Sequence, residues 1–306
     1  MKPALILHGG SWDWPDDQDA PKKDALREAA RIGWSVLQAG GSALDAVEKT
    51  VNYLEDFPLF DAGTGSHLNS EGVVEMDALI IDGTARDYGA VAGVTRVQYP
   101  ISLARKVMEE TEHNLFVGSG ADSLAAILGM PLVANAQLVT ESELAMYQRA
   151  QAKMERADGH DTVGAIALDH HGNVAAATST GGTPYKLAGR VGDSPLFGAG
   201  GYADSAIGGA GVSGKGEHSM RTLLSKYAVD QMAGGLDALQ AAQAAIDYIN
   251  HIITPSMVGL IVLGADGRLG AAHSTPKMAI GWIGEDGQPR ASVRGGLHEV
   301  ENHASD

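Results

Sequence analysis

The chain has 306 residues, no cysteine and a formal net charge of −16 at pH 7. This acidic balance excludes nucleic acid and anionic membrane surfaces as partners, because binding to phosphate needs clustered lysine and arginine. The lack of cysteine excludes disulfides, thiolate catalysis and cysteine-ligated metal centres. With a hydrophobic content of 44%, the chain can bury a large core as one domain or as two closely packed halves.

The first ten residues contain one apolar run, at residues 4–7, that is too short for a signal peptide. No stretch of the sequence is long and apolar enough to span a bilayer. We therefore expect a cytoplasmic protein. The 40 glycines lie between periodic apolar segments without forming a repeat, and we expect them in tight turns and close backbone approaches.

The first half of the sequence predicts a strand, a pair of helices, further strands and further helices. The strand at 4–7 leads into His8-Gly9-Gly10, and Ser42 is placed to cap the second helix. The predicted helices span residues 21–37, 42–54, 101–111, 121–128 and 142–155, and the predicted strands span 73–82, 89–94 and 115–117.

The second half predicts a hairpin, a glycine-rich stretch, two helices and two more strands. The hairpin joins 165–168 to 174–177, the helices span 217–232 and 236–249, and the strands span 257–263 and 269–273. Two sheets packed face to face, with helices on their outer faces, would satisfy this order of elements.

Thr162 stands where a polar run meets a strand. Residues 156–161 have the composition of a tether, yet no turn signal separates them from the apolar run that begins after Thr162. A processing site would explain this junction. We hypothesise that Thr162 is a nucleophile that cleavage before it would release, with its own α-amine as the base. The alternative is a plain strand start.

Three further stretches carry polar groups suited to a site. The hairpin brings Thr180 close to Thr162, which would form either a hydroxyl cluster or a purely structural threonine pair. Arg190 and Asp193 lie in one glycine-containing loop. They could hold the carboxylate and the ammonium of an amino acid, or they could form an ordinary surface ion pair.

Residues 209–215 almost match the phosphate-binding pattern G-x-x-x-x-G-K-[ST], which offers a nucleotide-binding module as an alternative. Gly216 stands where serine or threonine should ligate magnesium, and the same backbone amides could stabilise an oxyanion instead. No pair of histidines has the spacing of a helical metal motif with an acidic partner, so we predict no transition-metal site.

Taken together, these motifs resemble the plant-type (type 2) asparaginases and isoaspartyl peptidases, which are N-terminal-nucleophile (Ntn) hydrolases. The resemblance covers nearly the whole chain. It is carried by His8-Gly9-Gly10, Gly40-Gly41-Ser42-Ala43-Leu44-Asp45-Ala46-Val47, Met76-Asp77-Ala78, Gly89-Ala90-Val91-Ala92, His160-Asp161-Thr162-Val163-Gly164, Thr178-Ser179-Thr180-Gly181-Gly182 and Gly189-Arg190-Val191-Gly192-Asp193-Ser194-Pro195.

The resemblance implies an α+β fold, a four-layer αββα sandwich in a single domain, made as a precursor that cuts itself between Asp161 and Thr162. Residues 1–161 would become an α subunit with a flexible linker at about 131–161, and residues 162–306 a β subunit. A dimer of cleaved αβ heterodimers is implied. The implied substrates are L-asparagine, β-aspartyl dipeptides or both, and no cofactor is implied beyond a structural sodium ion.

The resemblance also assigns roles to residues. Thr162 is the nucleophile and Thr180 the second threonine that tunes it. Ser213 and Gly214 form the oxyanion hole. Arg190, Asp193, Gly214 and Gly216 bind the substrate. The sodium loop would use the backbone carbonyls of Leu54, Glu55, Phe57, Phe60, Ala62 and Thr64.

Two departures from the family pattern bear on the rate of self-cleavage. Serine replaces the usual threonine at Ser213, which removes the methyl group that restricts the rotamer. Aspartate replaces the usual asparagine at Asp61 and adds a negative charge near the nucleophile. Two related alternatives stay open here: a glycosylasparaginase, in which His160-Asp161-Thr162 is also typical, and an uncleaved, inactive relative.

Overall fold

The computed structural model describes residues 1–153, 161–294 and 297. These residues form twelve strands and eight α-helices. The strands are β1 Ala4–Trp12, β2 Met76–Asp82, β3 Asp87–Val94, β4 Leu115–Val117, β5 Val163–Leu168, β6 Val174–Thr180, β7 Gly201–Asp204, β8 Gly208–Gly214, β9 Val258–Gly264, β10 Leu269–His273, β11 Lys277–Ile283 and β12 Pro289–Ser292. The helices are α1 Asp19–Gln38, α2 Ala43–Asp56, α3 Pro100–Glu110, α4 Gly118–Ile127, α5 Glu141–Lys153, α6 Gly216–Thr222, α7 Leu224–Ala233 and α8 Ala238–Ile252.

The strands form two sheets. The larger sheet has the order β12-β11-β1-β5-β6-β2-β3-β4, and all its pairs are antiparallel except β3 with β4. The smaller sheet is antiparallel, with the order β10-β9-β8-β7. The predicted hairpin is β5 and β6, and it lies at the centre of the larger sheet.

Alternating side chains of β1 explain why the larger sheet is buried on both faces. Leu5 and Leu7 join an apolar cluster with α1, α2 and α3, whereas Ile6 joins a second cluster that faces β9. Successive residues of a strand point to opposite faces. A continuous apolar run therefore packs against helices on one side and against the other sheet on the second side.

The two sheets contact each other through β1, β5 and β6 of the larger sheet and β8 and β9 of the smaller one. Helices α7 and α8 pack against β8, β9 and β10 through a third apolar cluster. The predicted pairing of two sheets with helices is therefore present. Within the described ranges, no helix is long and apolar enough to cross a membrane.

Most predicted elements are present within a few residues, but four strands and one helix break were not foreseen. The sequence predicted neither β7 nor β8 in the glycine-rich stretch, nor β11 and β12 near the end. The single helix predicted at 217–232 is two helices, α6 and α7, separated at Leu223, which has a positive φ of 47°.

Two elements fall within the predicted linker at about 131–161. Residues 135–137 form a 3-10 turn and α5 follows, close to the helix predicted at 142–155. Of the predicted tether at 156–161 only Asp161 is described. Gly159 and His160 of the motif before Thr162 lie outside the described residues.

Candidate active site

The central hairpin brings Thr162 and Thr180 together as predicted. Thr162 immediately precedes β5 and Thr180 ends β6, with Val163 paired opposite Ser179. The hydroxyl of Thr162 donates to the hydroxyl oxygen of Thr180 at 3.3 Å, and both residues are buried. The two hydroxyls therefore form a cluster inside the protein at the end of two central strands.

Ser213, near the end of β8, reaches the same cluster from the smaller sheet. Its hydroxyl oxygen accepts a hydrogen bond from the backbone N–H of Thr162 at 3.4 Å. Gly214 follows with a φ of 113°, and a Cβ there would lie 2.4 Å from the carbonyl oxygen of Met257. Only glycine fits at this position, because a side chain would both strain the backbone and collide with it.

His8 holds the other side of Thr162. Its Nδ1 lies 2.8 Å from the carbonyl oxygen of Thr162, and since a carbonyl only accepts, Nδ1 carries the hydrogen. Burial lowers the pKa of His8 to about 4, against the opposing effect of this hydrogen bond, so the ring is neutral at pH 7. A Cβ at position 164 would lie 2.4 Å from Nε2 of His8, so the ring fits only beside Gly164.

Asp161, the residue before Thr162, is anchored to α1. Its Oδ2 accepts from Nζ of Lys22 at 2.7 Å, and Lys22 is fully buried. The ammonium also donates to the carbonyl of Leu59 at 3.1 Å and lies 4.7 Å from the ring centre of Trp14 and 4.9 Å from that of Phe60. The carboxylate of Asp161 is therefore fixed by a buried cation.

Asp61 lies behind Thr180, and its negative charge is partly compensated. Its Oδ2 accepts from the hydroxyl of Thr180 at 3.3 Å, and its Oδ1 accepts from the backbone N–H of His67 at 2.7 Å. Burial raises the pKa of Asp61 to about 6, although the positive charge of His67 opposes this. Burial by itself would lower the pKa of His67, but the negative charges of Asp61 and Glu143 outweigh it and raise this pKa to about 9.

Arg190, Asp193 and Gly216 converge on one spot. A Cβ on Gly216 would lie 2.7 Å from Oδ1 of Asp193 and 3.1 Å from Nη2 of Arg190. Burial raises the pKa of Asp193 to about 6, against the effect of Arg190. Arg190 donates to both carboxylate oxygens of Glu217, at 3.0 and 2.9 Å. The structure thus brings the predicted pair together and adds a partner for Arg190.

The loop that carries Arg190 and Asp193 is held by Asp77 of the Met-Asp-Ala motif. The carboxylate of Asp77 accepts from the backbone N–H of Gly192 at 3.2 Å and from that of Gly93 at 2.8 Å. Asp77 is fully buried and pairs with Thr180 across β2 and β6. One carboxylate thus links the loop to the strand that carries the second threonine.

The loop after α2 curls tightly against the end of that helix. Gly63 has a φ of 55°, and a Cβ there would lie 2.3 Å from the carbonyl oxygen of Glu55. Several of the carbonyls in this loop accept one backbone hydrogen bond each, which leaves a second lone pair on each oxygen: those of Leu54, Glu55, Phe57 and Phe60. Each of these four oxygens therefore retains a lone pair for a further donor or a cation. Across the described ranges, no group of three or more acidic or histidine side chains is placed to hold a metal ion.

The phosphate-binding interpretation of residues 209–215 is wrong. Residues 208–214 are β8, which pairs with β7 on one side and β9 on the other. The N–H of Lys215 donates to the carbonyl of Met257 at 2.7 Å. Because the ladders with β7 and β9 and this bond engage the backbone, the segment lacks the open nest of amides that a phosphate needs.

Four residues of the site were not singled out from the sequence: His8 as a contact of Thr162, and Lys22, His67 and Glu143. The sequence did contain a pattern that could have pointed to His8, because this residue ends an apolar run in the His-Gly-Gly motif. The other three lie in ordinary helical or loop sequence. Lys22 contacts Asp161, 139 positions along the chain, and His67 contacts Glu143, 76 positions along the chain.

The family model described as Asparaginase matches residues 1–293. An isoaspartyl peptidase/L-asparaginase of Xenopus laevis is 38% identical over 100% of this chain and 98% of its own length. A plant-type L-asparaginase of Thermococcus kodakarensis is 40% identical over 95% of this chain and 99% of its own length. The human isoaspartyl peptidase/L-asparaginase is 41% identical, with 91% and 92% covered.

The family model and the relatives match nearly the whole chain, including the buried threonine cluster. The chain is therefore a hydrolase of the N-terminal-nucleophile type. The chain belongs to the Asparaginase family.

Proposed function

We propose that this chain cuts itself between Asp161 and Thr162 and then hydrolyses L-asparagine, β-aspartyl dipeptides or both. The observation that carries the proposal is the surroundings of Thr162. Its hydroxyl contacts Thr180, its N–H contacts Ser213 and its carbonyl is held by His8. The names of the relatives support this choice of substrates.

Self-cleavage begins when Oγ1 of Thr162 attacks the carbonyl carbon of Asp161. The C–N bond breaks, the nitrogen takes up a proton, and an ester joins Asp161 to the hydroxyl oxygen of Thr162. Water hydrolyses this ester, which leaves a carboxylate on Asp161 and restores the hydroxyl of Thr162 beside the α-amine that the first step freed. An α-amine has a pKa of about 8, so part of it is neutral near pH 7 and can act as a base.

The second reaction uses the same oxygen. The α-amine takes the proton from Oγ1 as Thr162 attacks the side-chain carbonyl of the substrate. Ammonia, or the amine of the second residue of a dipeptide, leaves with that proton. Water then hydrolyses the β-aspartyl ester to release aspartate.

Six residues would serve this chemistry. Arg190 takes the substrate α-carboxylate and Asp193 its α-ammonium, with Gly216 as a backbone contact. In the described part of the chain, Oδ2 of Asp193 is buried without a hydrogen-bond partner, which suits an incoming ammonium. The hydroxyl of Ser213 and the N–H of Gly214 form the oxyanion hole, with Thr180 tuning the nucleophile.

Five further properties stay proposals or predictions. We infer a four-layer αββα sandwich in one domain, and a dimer of cleaved heterodimers that has no nucleic-acid or membrane partner. A structural sodium ion would be held by the loop after α2, through the carbonyls of Leu54, Glu55, Phe57, Phe60, Ala62 and Thr64. The cytoplasmic location and the flexibility of the linker stay predictions.

A denaturing gel tests self-cleavage. We expect the purified protein to give two fragments, residues 1–161 and 162–306, whereas the Thr162→Ala variant stays a single chain because it lacks the nucleophile. Mass spectrometry should place the new amino terminus at Thr162. A wild-type band that stays full-length after long incubation would refute self-cleavage and favour the uncleaved, inactive relative.

Product analysis tests the substrate class. Cleaved protein should release aspartate from L-asparagine or from β-aspartyl dipeptides, and Arg190→Ala should raise KM because it loses the carboxylate contact. Faster hydrolysis of a glycosylated asparagine than of either substrate would favour the glycosylasparaginase alternative.

A further inference from the structure

A row of buried charged side chains lies directly behind the two threonines. His67 connects Asp61 to Glu143: its Nδ1 lies 2.7 Å from Oε2 of Glu143, and its Nε2 lies 3.9 Å from Oδ2 of Asp61. The exposed fractions of Asp61, His67 and Glu143 are 2%, 7% and 8%. The row ends at Thr180, whose hydroxyl lies 3.3 Å from Oδ2 of Asp61.

The ring of His67 has a carboxylate on each side, which favours its charged form. A neutral imidazole has one N–H and one lone pair, so one of the two carboxylates would face a lone pair. A protonated ring offers an N–H to both sides. Its positive charge also offsets the cost of burying the Asp61 carboxylate, a cost that is high for an uncompensated ion.

Other charged groups near this row do not replace His67. The negative charge of Asp161 also raises the pKa of His67, but Oδ2 of Asp161 forms an ion pair with Lys22. The positive charge of Lys186, in the loop after β6, lowers the pKa of Asp61. The ammonium of Lys186 is itself held by the carbonyl of Glu75, to which Nζ donates at 2.7 Å. In the described part of the chain, the side chain of His67 thus contacts the carboxylates of both Asp61 and Glu143.

The carboxylate of Asp61 sets the direction of the hydrogen bonds at the site. A carboxylate only accepts, so the hydroxyl hydrogen of Thr180 points to Asp61. The oxygen of Thr180 is then left to accept the hydroxyl hydrogen of Thr162. Both hydrogen bonds therefore donate in the same direction, from Thr162 to Thr180 and from Thr180 to Asp61. The hydroxyl hydrogen of Thr162 points away from its own oxygen, which is the attacking atom.

We propose that His67 is a positioning residue for the nucleophile: held by Glu143, it orients and balances the Asp61 carboxylate that directs Thr180 and, through it, Thr162. The proposal rests on the proposed function, because it assigns a role in the reaction of Thr162. It also gives a physical account of aspartate at position 61, where the family pattern has asparagine.

The test is a double-variant cycle with three proteins: His67→Leu, Asp61→Asn and the combination of the two. His113→Leu is the matched control, since His113 is an exposed histidine. Each protein is first checked for cleavage on a denaturing gel. The kcat and KM for L-asparagine, and for a β-aspartyl dipeptide, are then measured.

We expect His67→Leu to lower kcat on the order of 10-fold with little change in KM, the scale of coupling between contacting residues. The combined variant should recover most of this loss relative to His67→Leu, because an amide at position 61 needs no counter-charge. A purely structural histidine would give losses that add in the combined variant. Additive losses, or an unchanged kcat in His67→Leu, would overturn the proposal.

Two provisions keep the test decisive. If His67→Leu fails to fold, Glu143→Gln replaces it, because it keeps the shape and removes the charge that holds the ring; a lower kcat at unchanged KM is expected. If a variant is cut too slowly for kinetics, the rates of self-cleavage of His67→Leu, Asp61→Asn, their combination and His113→Leu are compared instead. The same pattern is expected: a loss in His67→Leu that the combination recovers. A wild-type protein with neither activity overturns the proposed function itself, whereas an active wild type beside an unaffected His67→Leu overturns only the role of His67.

Discussion

Thr162 is held at three atoms by residues from three different parts of the chain. His8 holds the carbonyl oxygen, Ser213 contacts the N–H, and Thr180 accepts from the hydroxyl. The hydroxyl is therefore oriented before any reaction, which is what a threonine needs to act as a nucleophile. The 3.4 Å contact with Ser213 is long, in line with the rotational freedom of a serine that lacks the threonine methyl group.

His8 makes the stability of the fold sensitive to acid. Its pKa is about 4 in the folded protein against an ordinary 6.5, so the unfolded chain takes up a proton that the folded chain refuses. Stability from this group is present above pH 6.5 and is lost as the pH falls towards 4, on the order of 3 kcal/mol. Urea unfolding of the single-chain Thr162→Ala protein at pH 7.5 and pH 4.5 measures this loss.

His8→Gln in the same background supplies the comparison. It removes the titrating ring, so the drop in unfolding free energy between the two pH values should shrink. His170→Gln is the control, because His170 is exposed in the turn between β5 and β6, and it should keep the wild-type drop. If the unfolding free energy of the Thr162→Ala protein drops equally with and without His8→Gln, His8 is not the source of the acid sensitivity.

Helix α1 acts on the site through one side chain. It packs on β1, β11 and β12 through its apolar face, and that packing places Lys22 beside Asp161. Gly10 in β1 has a φ of 115°, and a Cβ there would lie 2.2 Å from Oδ1 of Asp161. A helix and a strand thus form the slot for Asp161, the residue that precedes Thr162.

Replacing Lys22 should slow self-cleavage. Lys22→Met leaves the carboxylate of Asp161 in its slot without a counter-charge. Because Asp161 is partly exposed, we expect a cost below the about 3–5 kcal/mol of breaking a fully buried ion pair. We expect a slower conversion to two fragments on a time-course gel, and a lower unfolding free energy in the Thr162→Ala background. Lys23→Met, on the neighbouring and more exposed residue, should cut at the wild-type rate. Equal cutting rates for the two variants would contradict a role for the Lys22–Asp161 pair.

At the scale of the whole molecule, the site depends on the packing of the two sheets. Thr162 and Thr180 belong to the larger sheet and Ser213 to the smaller one, so the contact between the sheets sets their spacing. Ile166 of β5 lies in the apolar cluster between the sheets. A Cβ on Gly209 of β8 would lie 2.9 Å from its Cγ2, which shows how closely the sheets approach.

Truncation of Ile166 should therefore destabilise the fold and loosen the site. Ile166→Ala is expected to cost about 2–5 kcal/mol of unfolding free energy, measured by urea unfolding in the Thr162→Ala background. Ile127→Ala is the matched control, because Ile127 is 79% exposed and should cost little. Comparable losses in the two variants would mean that the packing between the sheets does not dominate at Ile166.

The sequence predicted those parts of the fold and site that depend on neighbours in the chain. The hairpin follows from two apolar runs around a turn, and it places Thr162 beside Thr180 without further information. Strand β8 was missed because its sequence, Gly-Gly-Ala-Gly-Val-Ser-Gly, has few of the branched side chains that identify strands. Gly209 is explained by the close approach of Ile166 in the larger sheet, whereas Gly208 and Gly214 have positive φ and lie against the backbone of β9. No local pattern records these contacts.

By itself, the sequence determined the apolar runs of the central strands, the hairpin, the pair of threonines and the membership of a hydrolase family. The tertiary structure alone decided what surrounds Thr162: His8 and Ser213 on its backbone, Lys22 on Asp161, and the row of Asp61, His67 and Glu143 behind Thr180. The reason is physical. Period and turn chemistry act over a few residues, whereas a buried charge acquires its partner only when distant segments pack together and exclude water.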